Sequence, residues 1–341
     1  MSGAAIEAGP RHQRVVLVGS PAVDVVIYPV KAELEARGIE AIYVDQATFE
    51  RNGREILRDA DIVYCAGSMP ISAHHVEDAA HLRAIISVYT GTDGIDERAA
   101  TERNILVANG QVPENTDSMA EAAILLMLAA SYDLAGAERS MTPGSLPPRR
   151  GPRLLRGRTV GLIGFGEIGR AIVGRIEAWG VTLLIATPRP RAPFPKGAEF
   201  VSLDELLARA DITCLTAPLR PETVNLLNRE RLTATKPGSL FVNISRGQLV
   251  DEQALTELAE SGHFAAIALD VFATEPLPDD SPLRTLPNAI LTPHALGHTI
   301  DSKEGIIRAG MENLCRALQG EPPLYVRNPA ILSQWQRRWA K

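Results

Sequence analysis

Cysteine is scarce in this chain. There are three, Cys65, Cys214 and Cys315, far apart and without metal-ligand spacing. That excludes a disulfide framework and points to a reducing compartment. Long apolar runs are also missing. The longest, Ala122 to Ala130, is too short to cross a bilayer. The opening residues, MSGAAIEAGPRHQ, have no apolar stretch of the kind a secretory signal needs. Excess positive charge is absent as well: the net charge of −6 leaves no footprint for nucleic acid or another polyanion. No repeat of 20–50 residues is visible, and no disordered tail for recruiting partners. What is present is ordinary for a soluble globular chain, with 45% apolar and 22% charged residues. A length of 341 residues suggests about two domains. The expected location is cytoplasmic, with no nucleic-acid or membrane partner.

Short apolar runs alternate with helical patterns along the chain. Arg14 to Gly19, Ala41 to Val44, Ile62 to Ala66, Ala84 to Val88 and Leu106 to Ala108 read as strands. Asp117 to Ala130 reads as a helix, acidic early and apolar all round later, so it should be buried. Met141 to Arg153 is a loop rich in proline, glycine and arginine. The rhythm then resumes, with strands at Val160 to Ile163, Thr182 to Ala186, Ile212 to Thr216, Leu240 to Asn243, Ala265 to Leu269 and Ile290 to Thr292. Leu203 to Ala208 and Glu252 to Ser261 are helices between them, and Thr299 to Leu318 is a long helix after them. Trp335 and Trp339, four apart, fall on one helical face and read as an anchor onto another domain or subunit. Strands separated by helices indicate βα units and parallel sheets.

The stretch LRGRTVGLIGFGEIG, Leu155 to Gly169, organises the rest. A buried strand, a G-x-G-x-x-G turn at Gly164, Gly166 and Gly169, and an apolar helical pattern follow one another. In a dinucleotide site Gly164 allows the tight turn, Gly166 lets backbone approach a pyrophosphate, and Gly169 lets helix pack on strand. The pyrophosphate would sit on the helix N-terminus.

Three further stretches lie just past strand ends, where ligands bind in open α/β sheets. They are FVNISRG (Phe241 to Gly247), ALDVFATEP (Ala268 to Pro276) and LTPHALG (Leu291 to Gly297). They bring Arg246, Asp270, Glu275 and His294 to one crevice. An arginine can hold a carboxylate bidentately and polarise the adjacent carbonyl. A histidine titrating near neutrality can give or take a hydroxyl proton. A carboxylate beside it would raise its pKa and fix its tautomer. The set suits hydride transfer between a nicotinamide and a 2-oxo or 2-hydroxy acid. Metal binding is not expected. His294 and His298 are four apart but lack the glutamate of a zinc protease motif, and His74, His75 and His81 read as surface residues.

With these motifs assembled, the sequence resembles the D-isomer-specific 2-hydroxyacid dehydrogenases. The likeness runs from YTGTDGID through SMAE, the glycine motif, APLRPET, VNISRGQLVDE, ALDVFATEP and TPHALG. It implies two doubly wound parallel-sheet α/β domains. A Rossmann nucleotide-binding domain, 117–297, would be inserted in a flavodoxin-like substrate-binding domain made of 1–116 and 298–341. It implies Arg246 on the substrate carboxylate and carbonyl, His294 as acid/base and Glu275 as its partner. Thr90 and Gly91 would also contact substrate, with Arg246 and His294. Glu167 and Ile168 would lie by the pyrophosphate, and Ala217, Ile244 and Asp270 beside the nicotinamide. Thr90, Ser245 and Gly297 complete the expected cofactor contacts. A homodimer through the nucleotide domain and the 117–130 helix is expected. Glu275 counts against a formate dehydrogenase, which has glutamine there. Two departures stand out. Tyr89 replaces a usual glycine, and the segment before Leu155 lacks the usual Gly-x-Trp.

The nicotinamide is a separate question. NAD-specific sites place an acid about 20 residues past the glycines, at the end of the second strand, for the ribose 2′-OH. Here that position is Thr187, followed by Arg189 and Arg191. Without the acid, and with arginines to hold a 2′-phosphate, NADP(H) is favoured over NAD(H). The expected activity is NADPH-dependent reduction of a small 2-oxo acid such as glyoxylate or hydroxypyruvate, giving the D-isomer. The alternative is a nicotinamide-sensing binding protein of corepressor type with little turnover.

Overall fold

A computed structural model describes residues 13–142, 150–190 and 192–339. Two compact units make up the chain. The first is Met1–Pro113 with Ile300–Lys341, and the second, Glu114–Thr299, is inserted between its halves.

The first unit is built on five parallel strands: β1 (Arg14–Gly19), β2 (Glu40–Asp45), β3 (Ile62–Cys65), β4 (Ala84–Ser87) and β5 (Leu106–Ala108). They lie in the order β2-β1-β3-β4-β5, the flavodoxin-like order. Their registers are continuous, for example Val16 opposite Ile42 and Val63 opposite Ile85. β3 and β4 are buried at every position because helices cover both faces. The helices Asp24–Ala36 and Ile300–Gln319 pack on one face through Ile27, Leu34, Ile306 and Leu314. Phe49 and Leu57 of the helix Gln46–Leu57 pack on the other. The helix Leu332–Trp339 closes the unit. Trp335 is fully buried and its indole N–H donates to the Arg83 carbonyl (2.8 Å). Trp339 lies under the guanidinium of Arg83, 4.7 Å away. The two tryptophans thus anchor the tail to its own unit, where the spacing alone suggested another domain or subunit. Burying a side chain as large as Trp335 stabilises the unit by roughly 2–3 kcal/mol.

The second unit has seven parallel strands: β6 (Thr159–Ile163), β7 (Thr182–Ala186), β8 (Ala198–Phe200), β9 (Ile212–Leu215), β10 (Ser239–Asn243), β11 (Phe264–Leu269) and β12 (Ala289–Leu291). Their order is β12-β11-β10-β9-β6-β7-β8, so the winding reverses between β6 and β9. Such a reversal opens a crevice at the carboxyl ends of the strands. The helix Pro113–Ser131 begins four residues earlier than its apolar pattern suggested, because proline is well suited to a first helical turn. It buries Ala123, Leu126 and Met127 against β6 and β7. It is not buried all round: Leu125 stays 53% exposed. The short edge strand β8 was not expected, since its three residues follow a proline-rich stretch. No helix among the described residues is long and apolar enough to cross a membrane.

Candidate active site

The glycine turn joins β6 to the helix Glu167–Ile176. Gly164 has φ +101°, and a Cβ there would lie 2.7 Å from the Ala217 amide nitrogen. Only glycine tolerates both constraints. Its N–H donates to Ala186 O (2.9 Å) and its carbonyl accepts from the Thr216 hydroxyl (3.0 Å), which locks the turn between β7 and β9. Gly169 lets the helix approach closely, since a Cβ there would sit 3.1 Å from the Gly164 carbonyl. At Gly166 the space is open: a Cβ would meet nothing within 4 Å. Gly166 is the helix N-cap and, having no side chain, makes no cap bond of its own. First-turn N–H groups are therefore left for a ligand. Glu167 and Ile168 are in that first turn. The residues present fit a dinucleotide pyrophosphate: an open cradle, uncapped amides and a locked turn. Thr187 follows β7 and is half-buried, and Arg189 beyond it is exposed. Arg191 lies outside the described residues.

The ends of β10, β11 and β12 carry the charged groups. β10 ends at Asn243, which is buried and holds the next turn with both amide atoms. Its Nδ2 donates to Arg246 O (3.1 Å) and its Oδ1 accepts from Ser245 N (2.9 Å). The Ser245 hydroxyl donates to Ala217 O, tying this turn to the one after β9. Arg246 is half-buried and its Nη1 donates to the Ser245 carbonyl (2.7 Å). Gly247 packs where a Cβ would fall 1.9 Å from the Phe272 carbonyl carbon. This brings the loop after β10 against the loop after β11. Two more bonds secure that second loop: Ala273 N donates to Glu252 Oε2 (2.8 Å) and Gln248 Nε2 to Ala273 O (3.1 Å). Ala217 and Ile244 are buried.

Glu275 and His294 are brought together. Glu275 Oε1 accepts from Phe272 N (3.0 Å), and Oε2 meets His294 Nδ1 at 2.7 Å. Burial pushes the Glu275 carboxyl up. The bonds from His294 and Phe272 and the charges of His294 and Arg246 outweigh it, leaving the group below its ordinary range. It is therefore an acceptor at neutral pH, which puts the proton on Nδ1 and leaves Nε2 for another partner. His294 has φ +52°, a left-handed conformation that costs a non-glycine residue about 1 kcal/mol or more. Its amide bonds to Thr292 O (3.0 Å), which helps hold it there.

Asp270, at the end of β11, is 1% exposed. Its Oδ1 accepts from the Thr292 hydroxyl (2.7 Å) and from Ala295 N (3.2 Å). Burial raises its pKa although those bonds oppose the rise. Asp270 thus fastens the loop that carries His294. Gly297 ends that loop against Met119, whose sulfur would lie 2.1 Å from a Cβ there. Asn243, Thr292, Glu252 and Gln248 were not singled out from the sequence. The only hint was an asparagine, a poor strand former, closing an apolar strand.

Thr90 and Gly91 belong to the first unit, in the turn after β4. The Thr90 carbonyl accepts from Asn109 Nδ2 (2.8 Å) and the Gly91 carbonyl from the Ser87 hydroxyl (2.7 Å). Tyr89 turns its side chain toward the β1 loop and donates from its hydroxyl to Ala22 O (3.1 Å). Burial raises its pKa to about 12.

The profile of the D-isomer specific 2-hydroxyacid dehydrogenase NAD-binding domain matches residues 124–295. The chain belongs to this family. It is 38% identical over 270 residues, 77% of its length, to D-3-phosphoglycerate dehydrogenase of Mycobacterium leprae. It spans about half the length of the D-3-phosphoglycerate dehydrogenases it matches. A glyoxylate reductase of Korarchaeum cryptofilum is 33% identical over 287 residues, covering 82% of this chain and 86% of that protein. Among solved structures, the NADPH-dependent glyoxylate/hydroxypyruvate reductase of Sinorhizobium meliloti, with NADP and malonate, superposes with a TM-score of 0.81. The pair is 27% identical, covering 94% of this chain and 98% of that one. The open cradle and the family description agree on a nicotinamide dinucleotide as the ligand class.

Proposed function

We propose that this protein reduces a small 2-oxo acid to the D-2-hydroxy acid at the expense of NADPH. One observation carries the reading: an imidazole and an ionised carboxylate 2.7 Å apart, with Arg246 acting on the same carboxylate, at the strand ends of a dinucleotide-type sheet. Arg246 would grip the substrate carboxylate with its guanidinium fork and polarise the neighbouring carbonyl. His294 would act as the imidazolium, giving its Nε2 proton to the carbonyl oxygen while Nδ1–H stays bonded to Glu275, whose carboxylate would stabilise the imidazolium before transfer and hold the ring. When bound, the nicotinamide supplies the hydride. Gly164, Gly166, Glu167, Ile168 and Gly169 would hold its pyrophosphate, with Ala217, Ile244, Ser245, Asp270 and Gly297 supporting the nicotinamide end. Thr187 and Arg189 would select the 2′-phosphate, since no acid stands at that position to repel it. Arg191 would assist.

In this reading the Rossmann domain is 117–297. Residues 1–116 and 298–341 supply Thr90 and Gly91 on the substrate side. The S. meliloti relative acts on glyoxylate and hydroxypyruvate, and these are the first substrates to try. A homodimer built on the second unit would cover the exposed Leu125 and Leu134.

The test is initial-rate oxidation of NADPH and NADH with glyoxylate, hydroxypyruvate and larger 2-oxo acids. Turnover preferring NADPH supports both parts of the proposal. Preference for NADH keeps the reaction and removes the cofactor assignment. Tight nicotinamide binding without turnover on any 2-oxo acid would favour a sensor of corepressor type instead.

A further inference from the structure

The segment that carries Thr187 and Arg189 is poor in backbone donors. Between β7 and β8 stand Pro188, Pro190, Pro193 and Pro195, none of which can donate a hydrogen bond. Among the described residues, side chains tie it to the glycine turn. Three phenylalanines supply part of the hold. Phe194 meets Phe200 edge-on at 5.2 Å, and Phe200 meets Phe165 edge-on at 5.6 Å. Phe165 lies within the glycine turn itself, so this chain of rings links the segment to the turn. Arg170, in the first part of the helix Glu167–Ile176, adds a second link. Its guanidinium lies over the Phe165 ring, 4.4 Å from the centroid, and its Nη1 donates to Pro193 O (2.7 Å). A planar guanidinium can stack and bond in this way at once, whereas an ammonium cannot.

We infer that Arg170 is a positioning residue that sets the balance between NADPH and NADH, by holding the segment between β7 and β8 against the glycine turn. The inference rests on the proposed role of Thr187 and Arg189 in the 2′-phosphate site. A 2′-phosphate draws on an arginine that is already in place. If the segment swings free, ordering it has to come out of the binding energy. NADH has no such phosphate, so its affinity does not depend on where Arg189 is. Damage to the glycine turn itself would weaken both nucleotides alike.

Fluorescence titration of NADPH and NADH onto the purified full-length chain separates these cases. Arg170→Ala is expected to weaken NADPH by roughly tenfold, the scale of one lost hydrogen bond from a charged donor, and to leave NADH near its starting value. Phe194→Ala removes the other anchor from an exposed position, with no change in the helix, and is expected to move the ratio the same way. Equal weakening of both nucleotides, or an unchanged ratio in both variants, would overturn the inference. Wild-type protein that prefers NADH would remove the assignment of Thr187 and Arg189. In that event a ratio that still moves in Arg170→Ala keeps the positioning role, and one that does not removes it.

Discussion

The two units begin alike and end differently. The first strand of each sheet leads into a glycine turn and then a helix: β1 ends at Gly19, and β6 ends at Ile163, one residue before Gly164. In both sheets the winding reverses beside that strand. An acidic residue stands in the first turn of each helix, Asp24 in one and Glu167 in the other, so charge does not separate them. Space does. In the first unit the place of the missing Gly19 side chain is taken. A Cβ there would fall 2.2 Å from the Tyr43 ring and 2.4 Å from the Asp24 carboxylate. Tyr43 is held there by a bond to Asp24 (3.2 Å) and by stacking on Tyr28 at 5.3 Å. In the second unit the matching Gly164 is crowded too, with the Ala217 amide nitrogen 2.7 Å from a Cβ, but two residues on, at the start of the helix, Gly166 faces open space. Sheet topology creates a crevice in both, and the side chains of the turn decide which one can take a pyrophosphate.

Filling the open turn should break the comparison most completely. A Cβ at Gly166 meets nothing within 4 Å, so Gly166→Val should lower the melting temperature only by the loss of a favourable cap residue, while titration detects no NADPH or NADH binding. Retained binding would show that the pyrophosphate lies elsewhere. Filling the crowded turn of the first unit should do the reverse. Gly19→Ala drives a methyl into the Tyr43 ring, and overpacking of this kind costs about 1–3 kcal/mol. Chemical denaturation should report that loss, with nucleotide affinity unaltered.

A smaller effect sharpens the account of the charged pair. Glu275 ionises below its ordinary value of 4.5 in the fold. Its contribution to stability is therefore complete above about pH 4.5 and is lost as pH falls through the lowered folded value. Glu275→Gln should be less stable than wild type at pH 7, and the gap should narrow in acid below that point. Because the side chain is 35% exposed, solvent screens the pair and the gap should be small. A gap that widens in acid would contradict the assignment of charge.

Much of this was legible in the amino-acid order, for a physical reason. Buried parallel strands are continuous apolar runs, and the glycine spacing reports a backbone requirement local to one turn. Arg246, Glu275 and His294 could be singled out because each follows such a run by a few residues. Thr292 was not, since its role lies in a bond to Asp270 on another loop that only the fold brings near, and Asn243 was not, since its local bonds to Ser245 and Arg246 hold a turn and carry no charge that marks a site. β8 was missed because its three residues, Ala198–Phe200, carry Glu199 at the centre and no apolar run, unlike the equally short edge strands β5 and β12. Leu125 was expected inside because its helix is apolar on every side, and composition alone does not say which side meets the sheet. Arg170 was not singled out, since its contacts with Pro193 and Phe165 exist only in the fold.

The most direct test of the central claim is a paired measurement on His294→Ala: turnover with glyoxylate or hydroxypyruvate, and nicotinamide affinity by titration. Loss of the general acid should lower turnover by roughly 10²–10⁴-fold, while NADPH binds as in wild type because the imidazole is not part of the glycine turn. Turnover at the wild-type rate in that variant would contradict the assignment of His294 as the proton donor.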